Sequence, residues 1–166
     1  HIWLSDEEIR QGQRLLEQLP DKAGTPPIAL HPYATHPDKA WKEAYWRQLM
    51  ELFESRGIPW IVIGRGNGME GIPASRNFTN RTSLRETCAL LKSSSLLITG
   101  DSGPMHLAGA VGTPVLALFG PTTEEWGFFP AGPKDRVLES QLDCRPCTLH
   151  GKKHCDRNHA CMQSIT

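Results

Sequence analysis

The sequence predicts an α/β fold in which helices flank a parallel sheet, and one continuous stretch carries most of this prediction. Residues 96–99 and residues 115–119 are short apolar runs of the kind that form strands buried on both faces. Between them, Pro104 favours the start of a helix and Gly112 favours its end. A strand, a loop, a helix and a second strand in this order form a parallel pair with a right-handed crossover.

The first helix is predicted from a capping box, in which Ser5 is followed by Glu8 three residues later. Its apolar residues recur with a loose helical period, and we expect the helix to end at Pro20. Residues 20–27 are typical of a linker. The first helix is therefore expected to be an arm that packs on the domain or meets a partner.

The next segments repeat the alternation of strand and helix. Residues 28–30 and 60–63 are apolar runs that predict strands, and residues 42–56 carry apolar side chains at the helical period between them. After a glycine-containing loop, residues 77–80 are predicted to form a brief strand.

A second capping box, formed by Ser83 and Glu86, begins a helix that ends near Lys92. Cys88 is expected on the buried face of this helix. Val137 and Leu138 allow one last short strand.

Composition excludes several classes of protein. A chain of 166 residues suits one domain, and its 18 basic and 18 acidic residues give no net charge, so a broad electrostatic surface for nucleic acid is not predicted. No apolar run approaches the length of about 20 residues that spans a bilayer, and no signal peptide is evident. A cytoplasmic protein is therefore expected. Because the chain starts at His1 without an initiator methionine, it is expected to be part of a longer protein.

The loop after the strand at residues 96–99 has the features of a ligand site. Asp101 and Ser102 follow the carboxyl end of a parallel strand and lie beside the free amides of a helix N-terminus, where open α/β sheets bind phosphate. An aspartate repels phosphate but accepts hydrogen bonds from hydroxyl groups. We therefore interpret the pair as a site for a sugar attached to a nucleoside diphosphate; an aspartate that only caps an ordinary loop is the alternative.

Two other loops contain residues of the kinds that bind phosphate. Lys39 follows the strand at residues 28–30 and could neutralise a phosphate, although an exposed lysine is more often solvated surface. Gly66, Gly68 and Gly71 match the spacing of a dinucleotide fingerprint, but no helical period follows them. A flexible loop is the better prediction there.

Four segments in order carry a resemblance to a known family: HPYATHPDKAWKEAYW, TSLRETCALLKSSSLLITG, DSGPMHLAGAVGTPVLALFGPT and the terminal CRPC…C…CM. Together they resemble the C-terminal half of the bacterial lipopolysaccharide heptosyltransferases, glycosyltransferase family nine. The resemblance implies a Rossmann-like parallel sheet, the C-terminal domain of a two-domain GT-B enzyme. It divides the chain into a linker helix from a missing N-terminal domain (1–20), a nucleotide-sugar-binding domain (28–143) and a cysteine-rich tail packed on it (144–166).

The resemblance also implies a function. The donor would be ADP-heptose and the acceptor the lipopolysaccharide inner core, with the catalytic base and the acceptor site in the missing N-terminal domain. We therefore expect this chain to bind donor without transferring sugar unaided and to require no cofactor. We further expect it in the cytoplasm, peripheral to the inner face of the inner membrane.

The resemblance assigns a set of donor-binding residues. Asp101 and His106 would contact the sugar and its phosphates. The amides of Ser102 and Gly103 would hold the diphosphate, which Lys39 would neutralise, and a threonine and a glutamate would frame the nucleoside. The full set is Thr35, Lys39, Glu70, Thr82, Asp101, Ser102, Gly103 and His106.

The last 23 residues are rich in metal-ligand types, which opens a second hypothesis, a zinc-binding interaction module without catalysis. Free thiols packed on the domain are the alternative, because the spacing lacks the second C-x2-C pair of a zinc ribbon. The side chains concerned are Cys144, Cys147, Cys155, Cys161, His150, His154 and His159.

A third hypothesis takes residues 100–103, GDSG, as the nucleophile segment of a serine protease with His106 or His31 as the base. Proteases with that motif are all-β proteins, and the motif's next glycine is Pro104 here. The predicted alternation of strands and helices therefore disfavours this hypothesis.

Overall fold

A computed structural model describes residues 1–20, 24–149 and 154–166, and a single five-stranded sheet organises them. All strand pairs are parallel, in the order β2-β1-β3-β4-β5. The α/β prediction is therefore confirmed. The strands are β1 (Ile28–His31), β2 (Trp60–Val62), β3 (Leu96–Gly100), β4 (Val115–Phe119) and β5 (Arg136–Glu139).

Helices cover both faces of the sheet. One apolar core lies between the sheet and α1, α3 and α4, and a second lies between the sheet and α2 and α5. Two short 3-10 turns, Pro37–Lys39 and Glu124–Trp126, follow β1 and β4. The helices are α1 (Asp6–Leu16), α2 (Glu43–Ser55), α3 (Leu84–Lys92), α4 (Gly103–Val111) and α5 (Ala160–Gln163).

The helix signals in the sequence are confirmed with small shifts of boundary. Both predicted capping boxes form, at the starts of α1 and α3, and Gly112 ends α4 in the left-handed conformation with φ 80°. Helix α1 ends at Leu16, before the predicted stop at Pro20, and α4 begins at Gly103.

The predicted strand at residues 77–80 is wrong. Asn77 forms a single parallel bridge with Val62, and the pairing stops there. Asn80 adopts a positive φ of 59°, and its side-chain amide donates to the carbonyl of Gly66. The turn at Asn80 therefore ends the pairing after one residue and fastens this segment to the loop that follows β2.

Helix α1 packs directly against α3. A Cβ atom built on Gly12 would lie 2.8 Å from the backbone carbonyl carbon of Ala89, so the two helices approach as closely as they do only with glycine here. Arg85 on α3 holds the Glu8 carboxylate at 2.6 Å. The arm is therefore packed on the domain.

The strand order places a crevice between β1 and β3. The chain leaves β1 toward β2 on one side and returns to β3 on the other, so the carboxyl ends of these strands are the topological switch point of the sheet. The loops that carry Lys39 and Asp101 meet there. No helix of the described ranges is long and apolar enough to cross a membrane.

Candidate functional site

A cavity of about 550 Å³ opens at the switch point. The loops that follow β1, β2 and β3 form its walls, together with the starts of α3 and α4. Four of the sequence-predicted site residues line it: Thr35, Thr82, Ser102 and Gly103. A Cβ built on Gly103 would meet no atom within 4 Å, and no side-chain cap accepts a hydrogen bond from the first amides of α4. This is the geometry of a phosphate site.

A partly buried ion pair stands beside the cavity. The Lys39 ammonium donates to Oδ2 of Asp101 at 2.6 Å, and the two side chains are 14% and 11% exposed. The hydroxyl of Thr122 donates to the same carboxylate oxygen at 3.2 Å. Lys39 comes from the 3-10 turn after β1 and Asp101 from the loop after β3. The structure therefore brings together the two charged residues that the sequence singled out.

A small buried network supports the loop that begins α4. His31, the last residue of β1, has its Nδ1 3.1 Å from the Thr99 hydroxyl and 3.2 Å from the Ser102 hydroxyl. The hydroxyls of Thr99 and Ser102 are 2.9 Å apart. Burial lowers the pKa of His31 to about 4, so the imidazole is neutral near pH 7. A neutral ring orients Ser102 without adding charge.

His31 is expected to titrate near pH 4 in the folded chain, well below the value of about 6.5 for an exposed histidine. Between these values the unfolded chain binds a proton that the folded chain does not. The free energy of unfolding therefore decreases as the pH falls from about 6.5 to 4, by up to about 3 kcal/mol. An NMR titration of the His31 ring proton measures the pKa, and urea unfolding of His31→Gln isolates its share of the pH dependence. A midpoint near 6.5 would contradict the assignment.

Four residues carried over from the resemblance do not line the cavity: Lys39 and Asp101 form the ion pair beside it, and Glu70 and His106 lie elsewhere. Glu70 is exposed, and its carbonyl accepts a hydrogen bond from Arg47 at 2.9 Å. His106 is exposed on the first turn of α4. Neither is a cavity residue in this structure, and their donor contacts stay predictions.

The glycines after β2 have a structural role that the fingerprint spacing does not describe. A Cβ built on Gly64 would lie 2.5 Å from the ring of His31, and one on Gly66 would lie 2.5 Å from the ring of Tyr33. The Tyr33 hydroxyl is 2.6 Å from that of Thr79. These glycines therefore let two ring side chains approach the loop that walls the cavity.

The tail thiols are free, and among the described residues no group of three or more histidine, cysteine, aspartate or glutamate side chains is arranged to hold a metal ion. Cys161 is buried, and burial raises the pKa of its thiol. Cys88 is buried in α3 as predicted, with its pKa raised for the same reason. His150, one of the candidate ligands, lies outside the described residues. Structural zinc stays a prediction that metal analysis of the purified chain would test.

The serine-protease hypothesis is wrong. The parallel sheet is incompatible with an all-β protease, although Ser102 and His31 are in contact. Within the described ranges no carboxylate contacts the His31 ring, and a base whose pKa is about 4 is poorly matched to neutral pH.

Sequence reasoning missed several residues of the site. His31 was considered only as a protease base, and Tyr33 could have been noticed because it closely follows a predicted strand. Arg65 lines the cavity, and its guanidinium has no partner in the described part of the chain. Thr122 contacts Asp101, and Arg145 contacts Thr122, only through tertiary packing, for which the sequence offers no local signal.

Comparison with known proteins decides the family. The sequence model of glycosyltransferase family 9 (heptosyltransferase) matches residues 4–156. The chain belongs to glycosyltransferase family 9. It is 35% identical over 153 residues to lipopolysaccharide heptosyltransferase 1 of Pseudomonas aeruginosa, a match that covers 84% of this chain and 40% of the relative. It is 32% identical over 144 residues to lipooligosaccharide heptosyltransferase 2 of Campylobacter jejuni, covering 76% and 43%.

Solved structures confirm the fold of this family 9 chain. The E. coli ADP-heptose lps heptosyltransferase II superposes with a TM-score of 0.70 at 22% identity, covering 88% of this chain and 50% of that one. E. coli heptosyltransferase WaaC with ADP-2-deoxy-2-fluoro heptose superposes with a TM-score of 0.58 at 24% identity, covering 78% and 41%. The chain thus spans less than half the length of the curated relatives it matches.

Proposed function

We propose that this chain is the donor-binding part of a heptosyltransferase that transfers heptose from ADP-heptose to the inner core of lipopolysaccharide. Membership of family 9 supports the reaction class, and the two relatives at 35% and 32% identity are named as heptosyltransferases. The observation that carries the proposal is the Lys39–Asp101 pair beside the amides that open α4, at the switch point of the sheet. A cation, free amides and a carboxylate are the groups that a sugar nucleoside diphosphate requires.

Lys39 and the amides that begin α4 would bind the diphosphate of the donor. Lys39 has three N–H donors, of which one goes to Asp101, so the others remain for phosphate oxygens. Ser102 and Gly103 line the cavity, and their amides would hold the same diphosphate. Charge develops on the diphosphate as the bond to the sugar breaks, and donors fixed in advance stabilise that charge. We therefore propose that leaving-group stabilisation comes from these protein groups.

We propose that the acceptor is recognised by the part of the longer heptosyltransferases that this chain does not span. The curated relatives are more than twice as long as their matched segments. We propose that this other part supplies the lipopolysaccharide site and the catalytic base, and that the enzyme works at the inner face of the inner membrane. This chain alone should bind ADP-heptose without transferring heptose, and transfer by the isolated chain would contradict that division.

Thermal unfolding with a panel of nucleotides tests the proposal. ADP or ADP-heptose at 100 times its dissociation constant should add about 2.7 kcal/mol of stability, which raises the midpoint by several degrees. UDP and GDP at the same concentration should give smaller shifts if the cavity selects adenine. Absence of a shift with every nucleotide, or equal shifts with all of them, would contradict an ADP-sugar site.

A further inference from the structure

The described part of the C-terminal tail, residues 144–149 and 154–166, contacts the loop that follows β4 through Arg145. The Arg145 side chain is 4% exposed, and its guanidinium donates to the carbonyls of Ser140 at 2.6 Å and Thr122 at 2.8 Å. It also donates to the Gly120 carbonyl and, at 2.6 Å, to the Glu139 carboxylate. One buried side chain thus fixes the backbone on both sides of Pro121.

That loop holds Asp101 in turn. The Thr122 side chain is fully buried, and its hydroxyl reaches Oδ2 of Asp101 at 3.2 Å. Lys39 donates to the same oxygen at 2.6 Å. No donor of the described chain contacts Oδ1, so the second carboxylate oxygen is left to accept a hydrogen bond from a ligand hydroxyl. The rotation of the carboxylate is thus set by Lys39 and by a threonine that Arg145 positions.

The tail also contacts the turn that carries Lys39. Nε2 of His159 lies 2.7 Å from Oδ1 of the largely buried Asp38, the residue before Lys39. The Trp41 indole donates to the carbonyl of Ile165 at 2.8 Å. The 3-10 turn is therefore held by the tail on both sides of the lysine.

We propose that the tail completes the donor site, with Arg145 and Thr122 as positioning residues for Asp101 and His159 as the positioning residue for Lys39. None of the three needs to touch the donor. The inference rests on the proposed function, because it assumes that Asp101 takes a sugar hydroxyl and Lys39 takes the diphosphate. Loss of the Arg145 or Thr122 contacts should therefore alter recognition of the sugar, and loss of the His159 contact should alter recognition of the diphosphate.

Thr122→Val tests the arm that leads to Asp101, because valine keeps the shape and removes the hydroxyl. Thr123→Val is the matched control, since the Thr123 hydroxyl is buried without a partner in the described chain. Calorimetry should show about tenfold weaker ADP-heptose binding for Thr122→Val, the scale of one hydrogen bond to a charged group, and less than threefold weaker ADP binding. The control should bind both ligands like the unaltered chain.

The ratio of the two dissociation constants separates positioning from loose packing. If Thr122 only supported packing, Thr122→Val would weaken the binding of ADP and of ADP-heptose equally. An unchanged ratio of the two dissociation constants in this variant would therefore overturn the role given to Thr122. If the unaltered chain bound neither ADP nor ADP-heptose, the proposed function itself would fail, which is a different result.

His159→Leu and His159→Gln test the other arm. Leucine removes the donor to Asp38, whereas glutamine retains a side-chain N–H. We expect His159→Leu to weaken ADP binding by about tenfold and to leave adenosine binding unchanged, because only ADP carries the phosphates that Lys39 would bind. His159→Gln should restore ADP affinity to within about threefold. The role given to His159 would be overturned if the leucine variant bound ADP as tightly as the unaltered chain. It would also be overturned if the variant lost as much affinity for adenosine as for ADP.

Discussion

Replacing Lys39 with methionine is expected to weaken ADP binding by at least about 30-fold. The substitution removes a cation from the diphosphate and leaves the Asp101 carboxylate, 11% exposed, without its counter-ion. Loss of one partner of a buried, hydrogen-bonded charge pair costs about 2–5 kcal/mol, and the remaining carboxylate repels phosphate. Isothermal titration calorimetry of ADP against both chains measures the difference.

The control for this prediction lies three residues along the chain. Lys42 is exposed, with its ammonium 5.5 Å from the centre of the Tyr45 ring, whereas the Lys39 ammonium is paired with Asp101. Lys42→Met removes the same charge, so a general electrostatic attraction would weaken equally in both variants. Equal ADP affinity for Lys39→Met and Lys42→Met would contradict a specific role for Lys39.

Replacing Arg145 with methionine is expected to remove about 3–5 kcal/mol from the free energy of unfolding. The substitution leaves Glu139 without its cation and leaves three backbone carbonyls without their donor. Because a domain of this size has about 5–15 kcal/mol of stability, this loss is a large fraction of the total. Urea unfolding followed by circular dichroism measures it.

Arg157→Met is the matched change in the same tail. Arg157 pairs with Asp143 at 2.6 Å, but both side chains are more than half exposed, and solvent screens such pairs so that they contribute little to stability. Its unfolding midpoint should stay close to that of the unaltered chain. If Arg145→Met unfolds at the same urea concentration as Arg157→Met, Arg145 does not hold the loop as described.

The fold could be predicted from the sequence because its signals are local. Apolar runs of three to five residues mark the strands, and both capping boxes and Gly112 mark helix ends within a few residues of their observed positions. The strand predicted at residues 77–80 failed because Asn80 takes a positive φ and bonds to Gly66. That contact depends on a loop distant in sequence, so periodicity could not reveal it.

The site could be predicted in part, for a related reason. Asp101, Ser102, Gly103 and Lys39 lie in the segments that follow two strands, and in a parallel sheet all carboxyl ends meet at one edge. The contributions of Thr122 and the tail require knowledge of which distant segments pack together. The exposed positions of Glu70 and His106 show that a motif match places a residue in sequence without placing its side chain in the cavity.

We propose that ADP-heptose binds this chain at the carboxyl edge between β1 and β3. Amide NMR shifts of the isotopically labelled chain, followed as ADP-heptose is added, locate the binding site. The largest shifts are expected at the amides of Lys39, Ser102 and Gly103, with little change on the opposite edge of the sheet, at Ser94 and Ser95. Shifts that are largest at the opposite edge, or none at a saturating concentration, would contradict a donor site between β1 and β3.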